Sequence, residues 1–388
     1  MTASVIVLGG GIIGLSCAFE AARRRYKVTL LEPYVPGGQA SGAAAGMLAP
    51  YSENTEQPDD FFRLCVRSLR LYPDWVRDVE QCSAADVEWV RSGSLNVFQH
   101  EADLLPLQAR IRMHNQWGAE AELVSGRALR ELEPKLTDKA IAAVYTPEES
   151  HVYAPKLVEA LLKACRRLGV DIRQDAGELE RLELHDSGGA TVKMRLLDNA
   201  VACDKLVVCS GAWSGQYERW IGIRIPIHPI RGQICSYGGT MQDVRHIVMS
   251  SQAYWVGKRN DRIICGASED VAGFRSDVTD KGISRLIRSS GRWFPHLSQQ
   301  QPLHRWAGLR PATVDGRPLL GPVRGNRDVI MAAGHYRNGI LLSPVTAMIV
   351  GDLLDGRESE SIAGFLPERF TERDSRPNQS AMSTHILG

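Results

Sequence analysis

The sequence predicts an α/β protein of two interleaved domains, one built on a parallel sheet and the other an α+β domain with a mainly antiparallel sheet. Three observations predict it. The N-terminal run SVIVLGGGIIGLSCAFEAARRRYKVTLLEP reads as a buried strand, a glycine turn, an amphipathic helix and a second strand. Strand and helix alternate again in PKLVEALLKACRRLGVDI, DKLVVCSGAWSGQY and RDVIMAAGHYRNGILLSPVTAMIVGDLLDG, with Gly356 as a C-cap. Between these passages lie segments such as GQICSY, AYWVGK and DRIICGA, whose alternation suits antiparallel strands.

Texture sets the boundaries. Residues 1–85, 151–225 and 305–370 are assigned to the Rossmann-like domain, 86–150 and 226–304 to the inserted one. Helices are expected at EADLLPLQARIRMHNQWG and GISRLIRSSGRWF, and 371–388 reads as a polar, disordered tail. A chain of 388 residues is long for a single core, and 44% hydrophobic with 23% charged residues is a globular composition. The formal net charge of +1 gives no reason to expect nucleic acid. The basic clusters ARRRYK and ACRRLG fall late in helices, where cations suit the dipole. Eight scattered cysteines without a CxxC pair suggest buried thiols, a reducing compartment and no disulfide framework, and no metal site is expected. The uncharged stretch Ser4–Phe19 is broken by Gly9, Gly10, Gly11 and Gly14 and lacks a basic lead, so neither a signal peptide nor a membrane span is expected. A cytoplasmic location follows as the default.

Gly9, Gly11 and Gly14 form GxGxxG between the first strand and the first helix. The first glycine permits the turn, the second lets backbone approach a pyrophosphate, and the third packs helix on strand. Eighteen positions beyond Gly14, Glu32 ends the second strand, where its carboxylate can accept from ribose hydroxyls and repels a 2′-phosphate. A dinucleotide is therefore expected. The run GGQASGAAAGM, Gly37–Met47, is almost all small residues and lets a large flat group lie against the backbone. That points to a flavin rather than a nicotinamide. In AGHYRNGILLSP, a polar loop opens a helix at Gly339, so free N–H groups face whatever lies before it.

These motifs together, GGGIIG with Glu32, ASGAAAGML, WAGLRPATVDGRPLLG and AGHYRNGILLSP, resemble the D-amino acid oxidase superfamily of flavoproteins, and within it the glycine oxidase branch that supplies glycine imine for thiamine's thiazole ring. They span residues 4–355. The resemblance implies FAD held without a covalent bond, in keeping with the lack of a cysteine near GLRPATVDG. It implies pyrophosphate contacts from Gly9, Gly11, Ile12, Ile13 and Gly14, a ribose contact from Glu32, and ring contacts from Ala40, Ser41, Ala45, Gly46 and Met47. Glu178, Ser210, Gly211, Trp213, His335, Arg337 and Asn338 complete the set, and Gly339, Ile340 and Leu341 aim their amides at the flavin N1/C2=O edge.

For the substrate, the resemblance assigns Arg310 to the carboxylate, Tyr254 to a second bond on it and Arg337 to the pocket edge, with Met47, Gln252 and Glu269 on the pocket wall. From residues alone, Arg310 is equally a structural ion pair with Asp315, and Tyr254 a core side chain. The implied reaction is oxidation of glycine or a small or N-substituted glycine-like amino acid. Hydride passes from Cα to flavin N5, the imine hydrolyses to a 2-oxo acid and ammonia or an amine, and O₂ becomes H₂O₂. A dehydrogenase of the same fold that passes electrons to a carrier is the alternative. The family also suggests a homo-oligomer, a tetramer. This chain departs from the family at Gln252 and Glu269, where an apolar or imidazole side chain is usual, and at Gly42, where a hydroxyl is more common. A carboxylate at 269 could attract a cationic amine or a longer substrate.

Overall fold

A computed structural model describes residues 2–54, 58–357 and 360–370; the expected tail, 371–388, lies outside the described residues. Strands Ser4–Leu8 and Lys27–Leu31 flank the helix Ile12–Arg23, as the N-terminal pattern requires. They form the middle of a six-stranded sheet in the order Leu319–Val323, Asn326–Ala333, Lys205–Val208, Ser4–Leu8, Lys27–Leu31, Asp171–Arg173. Every pair is parallel except the first, a hairpin at the edge.

Side chains alternate across this sheet with the period of a strand. Val5 and Val7 face a helical layer built from Ile12–Arg23, Ala154–Arg167, Asp60–Ser83 and Gly339–Leu354. Ile6 and Leu8 face the other way, onto the antiparallel strands Leu179–Leu184 and Ala190–Met194. Both faces are thus covered, which is why the central strands read as unbroken apolar runs.

An eight-stranded sheet stands beside it, in the order His304–Thr313, Ile227–Gly238, Arg262–Gly266, Tyr254–Lys258, Ile247–Met249, Ser94–Phe98, Ala142–Thr146, Glu122–Ser125. Its pairs are antiparallel apart from Ile247–Met249 with Ser94–Phe98. One face buries Cys235, Tyr237 and Trp255 against the helix Asp280–Trp293, and the other turns Ile234, Val256 and Ile264 toward Ala45 and Met47. His304–Thr313, at the start of the segment 305–370, pairs with Ile227–Gly238 in this second sheet over ten positions.

The helix Gly339–Leu354 carries Pro344 in its second turn and is buried nearly all round. Proline has no N–H, so the carbonyl of Ile340 loses its partner four residues on. Two hydroxyls replace it: Tyr72 donates to Ile340 O at 2.6 Å and Ser343 at 2.8 Å. One turn along the same neighbouring helix, Ser68 donates to Leu341 O at 2.6 Å. All eight cysteines are free. Among the described residues, no helix is long and apolar enough to cross a membrane, and no group of acidic, His or Cys residues could hold a metal ion. Removing one of the two hydroxyls at Ile340, by Tyr72→Phe, should cost about 1 kcal/mol in urea unfolding, and Ser68→Ala a similar amount. An unchanged midpoint in both variants would show that the proline break needs no repair.

Candidate functional site

The parallel strands end together, and the chain turns away from each end on a glycine or beside one. Gly9 follows Leu8, Gly211 lies just past Val208, and Gly334 follows Ala333. Gly9 sits at φ +110°, a conformation that side chains resist, and a Cβ there would lie 2.6 Å from the carbonyl oxygen of Cys209. A Cβ on Gly14 would lie 1.9 Å from the carbonyl oxygen of Gly9. The glycine spacing therefore brings the helix N-terminus flush against the strand ends, and a large cavity opens there, where open α/β sheets place their ligands.

Every residue expected at the cofactor lines this cavity except Gly14, Asn338 and Leu341. Gly14 is used up in packing. Asn338 donates its N–H to His335 O, and the Leu341 side chain is buried in the helical layer. Of the three residues whose amides are expected at the flavin, Gly339 and Ile340 line the wall. Ile12 N–H is capped by Ser41 Oγ at 2.9 Å. The Glu32 carboxylate accepts from Gly10 N–H at 2.6 Å and Tyr34 N–H at 3.1 Å, while burial pushes its pKa up. Two amides leave acceptor sites on that carboxylate for ribose hydroxyls.

The run of small residues has a second cause beyond a flat ligand. A Cβ on Gly42 would meet Gly37 O at 2.6 Å, one on Gly46 would meet Val152 O at 2.0 Å, and Gly308 already abuts Ala43. Backbone crowding, not a missing hydroxyl, explains Gly42. His335 faces the cavity but is fully desolvated, which holds its pKa down at about 3; its Nε2 bonds Thr346 Oγ1 at 3.0 Å. It is a neutral structural imidazole.

A second, wider cavity opens beyond the first, and four residues line both: Glu53, Tyr254, Arg310 and Arg337. They form a neck between the two. Arg310 donates to Ser268 O at 2.9 Å and lies across Gly232, where a Cβ would come within 2.4 Å of its guanidinium. The expected alternative partner, Asp315, pairs with Arg369 at 2.7 Å. Among the described residues, no carboxylate lies within ion-pair distance of Arg310. Tyr254 rests over Gly266 in the same way, its phenol pushed up by burial against the pull of Arg310.

Arg337 pairs with Glu269 at 3.3 Å, and Tyr336 donates to the same carboxylate at 3.0 Å. Glu269 and Gln252 line the outer cavity but not the inner one. Met47 lines only the inner one.

Glu53 was not anticipated. It ends the short helix Pro50–Glu53, and nothing in its neighbourhood marks it as part of a site. Behind it, buried Glu149 accepts from Tyr51 N–H at 2.7 Å and Ser52 N–H at 2.8 Å, and from the hydroxyl of Ser94. Arg110 donates to Ser52 O at 3.1 Å. Burial pushes Glu149 up to about 7, with the surrounding hydroxyls and amides pulling the other way.

The model of a family described as FAD dependent oxidoreductase matches residues 4–353. The chain is 32% identical over 373 residues to a glycine oxidase of Geobacillus kaustophilus, covering 92% of this chain and 93% of that protein. It is 31% identical to a bifunctional ThiO/ThiG protein of Synechocystis, covering 97% of this chain and 55% of the other. The crystal structure of the Geobacillus kaustophilus glycine oxidase superposes with a TM-score of 0.89 at 29% identity, over 95% of this chain and 99% of that one.

Two outcomes test the geometry. Replacing Glu32 by Gln should weaken FAD roughly tenfold, read by flavin release on ultrafiltration, because one acceptor oxygen is lost. Unchanged retention would remove Glu32 from the site. Glu149 is held protonated more readily in the fold than its usual 4.5, so the stability it contributes is complete below pH 4.5 and lost as pH rises through about 7. Glu149→Gln should therefore gain on the wild type by up to roughly 3 kcal/mol across that window. Parallel stability–pH curves would contradict it.

Proposed function

The chain belongs to the FAD dependent oxidoreductase family, and we propose that it is an oxidase of glycine or of a small or N-substituted glycine-like amino acid. The observation that carries this reading is Arg310, a guanidinium at the neck between the two cavities with no ion-pair carboxylate among the described residues. Its planar fork suits a substrate carboxylate. Relatives named glycine oxidase support the same substrate class.

The residues present fit a flavin: a glycine cradle that any Cβ would fill, a carboxylate placed for ribose, and a helix N-terminus at the wall. A bound flavin would supply the acceptor for a hydride from the substrate Cα, with O₂ as the final oxidant and H₂O₂ as its product. The chain does the rest. Arg310 fixes the carboxylate, Tyr254 closes over it, and the small residues around Ala45 and Gly46 keep the approach to the ring unobstructed. The amides of Gly339 and Ile340, at the positive end of a sixteen-residue helix, favour negative charge in front of them.

Anaerobic addition of glycine, sarcosine or D-alanine should bleach the visible flavin band for at least one of them, with recovery and H₂O₂ on admitting air. Arg310→Ala should lower kcat/KM by about 10²–10³-fold, chiefly through KM. Bleaching without recovery in air would assign the electrons to a carrier. A band that no glycine-type amine bleaches would end the reading.

A further inference from the structure

Among the described residues, Glu53 carries the one carboxylate that lines both cavities. It stands there with Arg310, Arg337 and Tyr254. Glu269, further out, already accepts from Tyr336 and pairs with Arg337. Glu53 has no hydrogen bond or ion pair to any described side chain, although Arg337 and Arg310 both act on its charge. A half-buried carboxylate without a partner is costly unless something else uses it. Its backbone, by contrast, is held on the N-terminal side. Glu53 N–H bonds Ala49 O at 3.0 Å, and Glu149 and Arg110 hold the residues just before it. The side chain is thus aimed by a rigid turn into the space where substrate passes.

We propose that Glu53 recognises the substrate's amine: it accepts a hydrogen bond from the ammonium of an amino acid whose carboxylate is held by Arg310, and takes one proton from it. This rests on the substrate class proposed above. An α-amino acid carries its two charges one carbon apart, and the neck offers the two opposite charges to match. In the proton transfer, one N–H bond of the ammonium breaks and one O–H bond forms on Glu53, leaving the amine neutral with its lone pair free. The proton then leaves through the outer cavity. Burial pushes the carboxyl of Glu53 up from its ordinary value. The groups facing it are Arg337 and Arg310, which pull down, and Glu269, which pushes up. Tyr254 and Cys65 lie close enough to sense its charge and remain neutral at ordinary pH, burial having pushed both up.

The test uses the flavin-loaded protein with Glu53→Gln and Glu53→Asp, each checked for an unaltered visible spectrum and thermal midpoint. Binding of glycine and of acetate, a carboxylate without an amine, is read from perturbation of the flavin band. Glu53→Gln should weaken glycine roughly 10- to 100-fold, while acetate binds as well or better because a like charge has gone. The acid limb of the kcat/KM profile should shift toward higher pH, and Glu53→Asp should restore part of both. Equal weakening of both ligands, or no change in either, would overturn the proposal. If no amine reduces the wild-type flavin, the oxidase reading fails. The glycine-to-acetate ratio still decides the role of Glu53.

Discussion

The contact between Gly14 and the carbonyl oxygen of Gly9 is the constraint on which the cofactor end of the molecule depends. It sets how close the first helix comes to the strand ends, and so where that helix's free amides stand. A side chain at Gly14 would push the helix off the strand end, and one at Gly9 would strike the carbonyl of Cys209. The same principle recurs across the site: Gly46 against Val152, Gly232 beneath Arg310 and Gly266 beneath Tyr254 each exchange a side chain for a close approach. The cavity is shaped as much by what is missing from the backbone as by what lines it.

Charge at the neck obeys a different logic. Two guanidiniums are brought out of bulk water with acids arranged unequally around them. Glu269 neutralises Arg337 directly, whereas Arg310 bonds a backbone carbonyl and has no ion-pair carboxylate among the described residues. That asymmetry gives the two arginines separate characters, one tied to the wall and one available. It arises from the meeting of three elements distant in sequence: the edge strand carrying Arg310, the loop after Gly266, and the turn before Gly339.

The parallel sheet and its glycine turn were legible because buried strands and GxGxxG each impose a period or a spacing on neighbouring residues. Arg310 and Tyr254 were legible as chemistry but not as geometry, since alternation cannot say which face of a strand meets a ligand. Glu53 and Glu149 left no trace. Their roles arise from burial and from contacts nearly a hundred residues apart in the chain, and local pattern carries neither. The long helix Asp60–Ser83 went unremarked despite an Asp59 cap on Phe62 N–H, and its hydroxyls matter only because a proline in another helix needs them. Leu341 shows the same limit: the helix start is legible, but that the Leu341 side chain turns into the helical layer depends on packing.

The order of strands in the central sheet has a consequence for how the molecule is made. Neighbours in that sheet come from residues 4–8, 205–208 and 326–333, so its pairing joins opposite ends of the chain. Such long loops close slowly. A nascent chain emerging from the ribosome has its first phosphate-binding turn early, but the opposite wall, at Gly334–Ile340, only after some three hundred residues more. Cofactor capture therefore waits on that second wall, and the first βαβ unit is made with half of its binding surface absent.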